Sequence, residues 1–395
     1  MSLLGLALLT TPAEAAVTRR ALLVGANDGG VELPALQYTG SDVQKMRDVL
    51  VELGGFKPAN VVILTQPDAP TLEVELQALP PLAEDDLFLF YYSGHADARG
   101  LRLGDEVYAF DDLKDHFERI DADVKLGVLD ACRSGQITQN RAKGAIVVDP
   151  FMQDSLDAVG EAWITASSGD EVAQESSRIN GSFFTHHLVS GMRGAADNGD
   201  GVVSLSEAYS YAYAKTVETT AMLGGAQHPE YEFDLAGQGD LALTTLSEAS
   251  SHVTLKKGYG GSITVLTEDY VLIAQVDKPS SREMVLALPP GEYRLRRRDE
   301  GEIYEVRLHV EEGSTHVLDH RWGQPVTAIA GTAKGVGDID AGGRTLDLAR
   351  GAWDTAKSSA GGVDWRHNPY LAAGFSVPLA GGGQIYNGQY LKGGA

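Results

Sequence analysis

Cysteine is almost missing from this chain: there is one, Cys132, in 395 residues. An intrachain disulfide and a cysteine-rich metal site are both excluded, and any sulfur chemistry must happen at that position. Basic charge is scarce as well, with 32 Lys and Arg against 55 Asp and Glu, a formal net charge of −23. The acidity is spread along the chain instead of gathered in a tail. Nucleic acid and anionic membrane surfaces are therefore poor partners, while cationic peptides would be drawn in. The one basic cluster, Arg294, Arg296, Arg297 and Arg298, alternates within a strand and reads as a solvated face. No apolar run reaches the roughly 18 residues that a membrane-spanning helix needs.

What is present is concentrated between Asp85 and Gly135. Two apolar runs, Leu87 to Tyr92 and Leu126 to Leu129, are short and almost free of polar alternation. That is the pattern of strands buried on both faces of a helix-covered sheet. Ser93-Gly94-His95-Ala96-Asp97 follows the first and Asp130-Ala131-Cys132-Arg133-Ser134-Gly135 the second. An imidazole and a thiol are thus expected just beyond the C-terminal ends of two strands, where open α/β sheets bind their ligands. The polar, turn-forming flanks of Cys132 suit an exposed strand end better than a core position. Such a pair points to a cysteine nucleophile with His95 as its base.

These two segments resemble the catalytic motifs of caspase-like cysteine peptidases, and more closely the metacaspase and bacterial orthocaspase branch than true caspases. His95 precedes Cys132 by 132 − 95 = 37 residues, in the family's order. Where the caspase signature has Gln two positions before the nucleophile, this chain has Asp130. The resemblance covers about residues 20–245 and includes ALLVGAND, SDVQKMRDVLVELGGF, VVILT, WITASSGDE and GSFFTHHLVSGMRG. It implies an α/β caspase-like fold, a mainly parallel sheet with helices on both faces. It also implies acyl transfer by His95 and Cys132, with an oxyanion held by the backbone N–H groups of Cys132 and Ala96. The family mostly has Gly at the latter position.

Asp130 beside the nucleophile suits a pocket for a positive side chain, with Asp170 as a second wall, since metacaspase-like enzymes use Asp at both matching positions. Cleavage after Arg or Lys in protein or peptide substrates is the expectation. Family members often carry activation sites in the loop after the nucleophile, which makes Arg141 and Lys143, in the irregular stretch 136–160, candidates for self-cleavage. A non-catalytic scaffold of the same fold, acting in envelope assembly or signalling, is the reading from a different class.

The alternation of strands and helices from Ala21 to about Thr245 supports the α/β reading. Ser41 and Ser204 read as N-caps, the latter with Glu207 at capping-box spacing. No cofactor is required by this chemistry. Calcium is a candidate activator, because Asn198, Asp200, Ser204 and Glu207 fall at ligand positions of an EF-hand-like loop, although Ala196 stands where the first Asp is needed. The His186-His187 pair reads as structural.

Residues 1–16 look like a secretory signal peptide, with an apolar run and Ala13-Glu14-Ala15, so an exported, periplasmic or envelope-associated protein is expected. The peptidase domain is expected over 17–250. Residues 251–322 read as a small antiparallel β-domain, and LPPGEYRLR is similar to PEGA-type β-modules of bacterial surface proteins. Residues 323–395 form a Gly/Ala-rich tail whose end resembles the lead-in to membrane hairpins, and the reading extends to a membrane tether beyond Ala395.

Overall fold

Period-two alternation within the strands decides the layers of this fold. The computed structural model describes residues 17–31, 33–83, 86–132, 159–168, 171–236, 240–299 and 302–325. The leader-like segment 1–16, the self-cleavage candidates Arg141 and Lys143, the second-wall candidate Asp170 and the tail beyond 325 lie outside the described residues.

In chain order the N-terminal part runs β1 (Arg19–Ala26), α1 (Thr39–Glu52), β2 (Val61–Thr65), α2 (Ala69–Gln77), β3 (Leu87–Gly94), β4 (Gly100–Leu103), β5 (Glu106–Ala109), α3 (Phe110–Arg119) and β6 (Val124–Asp130). It continues with β7 (Val159–Thr165), β8 (Glu175–Ser176), β9 (Gly181–Ser182), α4 (Phe183–Ser190), β10 (Val202–Ser204), α5 (Leu205–Ala221), β11 (Glu230–Ala236) and β12 (Ala242–Thr245). The rest is all strand: β13 (His252–Leu255), β14 (Gly261–Thr267), β15 (Leu272–Lys278), β16 (Met284–Ala287), β17 (Gly291–Asp299), β18 (Glu302–Val310), β19 (Thr315–Leu318) and β20 (Gln324–Pro325).

Six strands make the main sheet in the order β11-β7-β6-β3-β1-β2. All neighbours pair in parallel except β11, which runs antiparallel to β7 at the edge. Ala21, Leu23, Leu89, Tyr91, Leu126 and Val128 face a layer built on α1, α4 and α5. Their neighbours Leu22, Val24, Phe88, Phe90, Tyr92 and Leu129 face α2 and α3. All eight residues of β3 are buried, and each large apolar side chain there contributes about 1.5–3 kcal/mol by leaving water. The mainly parallel, doubly covered sheet expected from the sequence is therefore present, with the C-terminal ends of β1, β3 and β6 along one edge.

The C-terminal strands form a three-stranded sheet (β16-β13-β19) and a five-stranded one (β15-β14-β17-β18-β20). They enclose a separate core of Val253, Leu255, Val265, Val276, Leu295 and Trp322. This layer docks on the helices: the Tyr211 hydroxyl donates to Gln275 O at 2.6 Å, and Lys215 pairs with Asp277 at 2.7 Å.

Two local expectations need correction. Ser41 is not an N-cap, because α1 begins at Thr39, and the Ser41 hydroxyl donates to Asn180 O at 2.7 Å instead. The arginine cluster is not a simple solvated face either. Arg294 and Arg297 are only 7% and 9% exposed, Arg294 lies between Glu268 and Glu305, and Arg297 stacks on the Tyr304 ring at 4.4 Å. Planar guanidinium groups stack on aromatic faces in a way that alternation alone does not reveal. Ser204 and Glu207 form the expected capping box. No helix among the described residues is long and apolar enough to cross a membrane.

Candidate active site

The register between β3 and β6 pairs Ser93 with Asp130. His95 and Cys132 are each two residues further along, so adjacent parallel strands deliver the imidazole and the thiol to the same rim. The loop after β1 holds the imidazole. Its Nε2 lies 2.8 Å from Pro34 O, and a Cβ at Gly29 would fall 2.6 Å from the ring. With Nε2–H donating to that carbonyl, the basic lone pair sits on Nδ1. The Cys132 thiol donates to Ala173 O at 3.9 Å, across from the segment that follows β7.

The backbone beyond His95 is fixed by a tight turn. Arg102 N donates to His95 O at 2.8 Å and Asp97 N to Gly100 O at 3.0 Å. The buried Tyr92 hydroxyl donates to His95 O at 2.7 Å. These bonds make Ala96 and Leu101 a non-hydrogen-bonded antiparallel pair. The Ala96 N–H is consequently not engaged within the turn, as an oxyanion donor must not be.

Beneath the rim lies an acid pair, only half of which is evident from sequence. Asp130 is 3% exposed. Its Oδ2 accepts from the Ser182 hydroxyl, from the Thr185 hydroxyl at 2.5 Å and from Thr185 N at 3.2 Å, all at the start of α4. The second carboxylate is Asp42 on α1, 1% exposed. It accepts from Ser182 N at 3.1 Å and from the Ser93 hydroxyl at 3.3 Å. Ser182 thus bridges the two acids, donating its hydroxyl to one and its N–H to the other.

Burial raises the pKa of both groups. It pushes Asp42 up to about 8, with the charge of Asp130 the next cause, against the pull of Lys45 and the Ser182 and Ser93 bonds. Asp130 is raised too, first by burial, despite its hydroxyl and amide donors. Two like charges this close do not both ionise readily without a cation. Lys45 Nζ, 3.7 Å from Asp42, supplies part of that charge, and a Cβ at Gly181 would collide with both of them.

Asp42 was recognisable in principle. It lies on the same helical stripe as Val43, Met46, Val49 and Leu50, all buried, and an acid on the apolar stripe of an amphipathic helix is a warning that it has partners.

The calcium candidates do not converge. The Glu207 carboxylate is occupied by Ser204 in the capping box, while Asn198 and Asp200 bond each other and the amides of their own turn. No group of three or more His, Cys, Asp or Glu suited to a metal occurs among the described residues. His186 and His187 are buried in α4, and burial holds the pKa of His187 down to about 3.

Over 206 residues the chain is 23% identical to Metacaspase-4 from Arabidopsis thaliana, which covers 46% of this chain and 45% of that protein, so it spans about half the length of this relative. The crystal structure of caspase-1 from Spodoptera frugiperda aligns with 58% of this chain and 90% of its own, at 17% identity and a TM-score of 0.44. The family model described as the caspase domain matches residues 18–238. With more than half of its length inside that match, the chain belongs to the caspase-like cysteine peptidases.

Proposed function

We infer that this protein is a cysteine endopeptidase that cleaves peptide bonds after Arg or Lys, with Cys132 as nucleophile and His95 as general base and acid. The observation that carries this reading is the Ser93–Asp130 register, which sends both groups off neighbouring strands at one edge.

In the acylation step His95 Nδ1 takes the Cys132 proton while sulfur bonds to the substrate carbonyl carbon. The oxyanion is held by the N–H groups of Ala96 and Cys132. As the tetrahedral species collapses, the C–N bond breaks and His95 returns the proton to the leaving amine. Water then attacks the thioester with His95 again as base, and the thiol is regenerated.

Specificity for a basic residue follows from the acid pair. A guanidinium or ammonium entering beside Asp42 and Asp130 supplies the countercharge that lets both carboxylates ionise, whereas an acidic side chain would add a third negative charge to a desolvated site. Self-processing at Arg141 or Lys143 belongs to the same reading, since both are basic residues that the enzyme would accept. So does activity in an exported setting, where a lone reactive thiol is compatible with oxidising surroundings.

The test is a positional peptide library incubated with the purified chain, with calcium and with chelator. Cleavage after Arg and Lys that disappears in Cys132→Ala is expected. Cleavage surviving in Cys132→Ala, or occurring after Asp, would overturn the assignment.

A further inference from the structure

Residues 173–183 touch the thiol, the loop that holds His95 and the acid pair. Ala173 O meets the Cys132 thiol. Glu175 accepts from Gln37 N at 3.0 Å, in the loop whose Pro34 holds His95. Ser182 bridges Asp42 and Asp130. Yet β8 and β9 pair through only two residues each, and so short a hairpin is not stable alone in water.

Its position is set by donors from outside. Three consecutive carbonyls in its turn are taken: Arg178 O by Leu272 N at 3.0 Å, Ile179 O by Lys45 Nζ at 2.8 Å, and Asn180 O by Lys45 Nζ at 2.6 Å and Ser41 Oγ at 2.7 Å. Lys45 and Ser41 belong to α1, which also carries Asp42. Leu272 is the first residue of β15, in the C-terminal sheets. A register shift in the β14–β15 pairing occurs at Leu266, the partner of Leu272. Such a bulge re-aims the backbone, and here the Leu272 N–H leaves its own sheet for the hairpin.

We propose that the C-terminal sheets are part of the substrate-recognition apparatus: the Leu272 N–H fixes the 175–182 hairpin, and with it the Ser182 bridge of the acid pair, making Leu272 a positioning residue for the substrate's basic side chain. This rests on the reading of Asp42 and Asp130 as the basic-residue site. Proline at the first position of a strand is tolerated while removing the donor, and alanine keeps the donor while removing the side chain.

The experiment compares full-length wild type, Leu272→Pro and Leu272→Ala on an Arg-terminated reporter peptide, together with the rate of Cys132 alkylation by iodoacetamide. Leu272→Pro is expected to raise KM about 3- to 10-fold, the effect of one lost hydrogen bond, with kcat and alkylation within about twofold of wild type. Leu272→Ala should match wild type in all three. An unchanged KM in Leu272→Pro, or equal damage in Leu272→Ala, would overturn the proposal.

Hydrogen exchange of the 175–183 amides is measured in parallel. Faster exchange there in Leu272→Pro alone supports the role, and equal exchange in all three proteins contradicts it. If wild type cleaves no basic peptide, the peptidase reading fails by itself and the exchange data still decide the positioning role. Should Leu272→Pro not fold, Tyr211→Phe, which removes the bond to Gln275 O on β15, is expected to raise KM about twofold, and no rise would count against the proposal.

Discussion

Two acidic clusters in this molecule both include buried carboxylates, Asp42 and Asp130 in one and Asp197 in the other, and differ in where their hydrogen-bond donors come from. Asp42 and Asp130 are 1% and 3% exposed and are met by hydroxyls and amides from other elements. In the 197–207 turn, the side chains of Asp197, Asn198 and Asp200 accept from the amides of Gly199, Asp200, Gly201 and Val202, while Glu207 caps α5. The first cluster holds two carboxylates out of water with Lys45 as a partial countercharge, which on the proposed function an incoming cation would complete, and the second has met its hydrogen-bonding demands within its own turn. Acidic side chains near one another thus point to a functional role where burial leaves their charge only partly compensated.

The largest expected effect comes from removing one charge of the buried pair. Asp130→Asn should lower kcat/KM for Arg peptides by about 10- to 100-fold, the range for losing a charge-assisted hydrogen bond. The alkylation rate of Cys132 should stay close to wild type, and that pair of measurements separates a recognition role from a catalytic one.

A smaller effect, about tenfold, should appear with pH. Because the Asp42 pKa lies raised at about 8, the pair retains a proton below that value and must release it to hold a guanidinium. The kcat/KM for Arg peptides should accordingly rise about tenfold from pH 6 to pH 7, the limit for a single proton, and bend over near pH 8. Asp42→Asn should flatten that limb, and an unchanged profile in the variant would break the contrast between the clusters.

The third prediction concerns stability and a different part of α4. His186 Nε2 and His187 Nδ1 are buried without a hydrogen-bond partner in the described structure, and burial depresses both pKa values, that of His187 to about 3. The unfolded chain takes up protons below about pH 6.5 that the folded chain refuses, so this contribution is whole above that pH and lost as pH falls. Asp42 works in the other direction, because its folded form holds a proton that the unfolded form releases above pH 4. A difference measurement separates them: from pH 7 to pH 5 the Tm of wild type should fall by about 4 °C more than that of His187→Leu.

The smallest effect belongs to the turn. Asp200→Ala is expected to leave kcat/KM within about twofold of wild type, since that carboxylate serves only its own turn. A larger loss, restored by calcium, would put the turn back in the functional site.

Sequence made the central sheet legible because β3 and β6 are unbroken apolar runs that end in abrupt polarity, and it made His95 and Cys132 legible because each stands at such an end. The Ser204 cap was readable for the same reason, as a local signal. Asp42 was only half legible: its place on the apolar stripe of α1 marks an acid that needs partners, but those partners, Ser93 and Ser182, come from β3 and from β9 and nothing nearby in the chain announces them. Ser41 misled, since a serine near a helix start has the same signature whether it caps its own helix or reaches a hairpin 139 positions away. Strand β11 was missed because its alternating Glu230-Tyr231-Glu232-Phe233-Asp234 covers an edge, where burial gives a weaker pattern. Long-range pairing, not local propensity, built the acid pair.

Labelling of the single cysteine by peptidyl chloromethylketones, read by mass spectrometry, is the most direct check. An arginine reagent should form one adduct on Cys132, much faster than the matching aspartate reagent, with the preference lost in Asp130→Asn. Equal labelling by the two reagents, or an arginine reagent that leaves Cys132 unmodified, would contradict a thiol and an acid pair working at one rim.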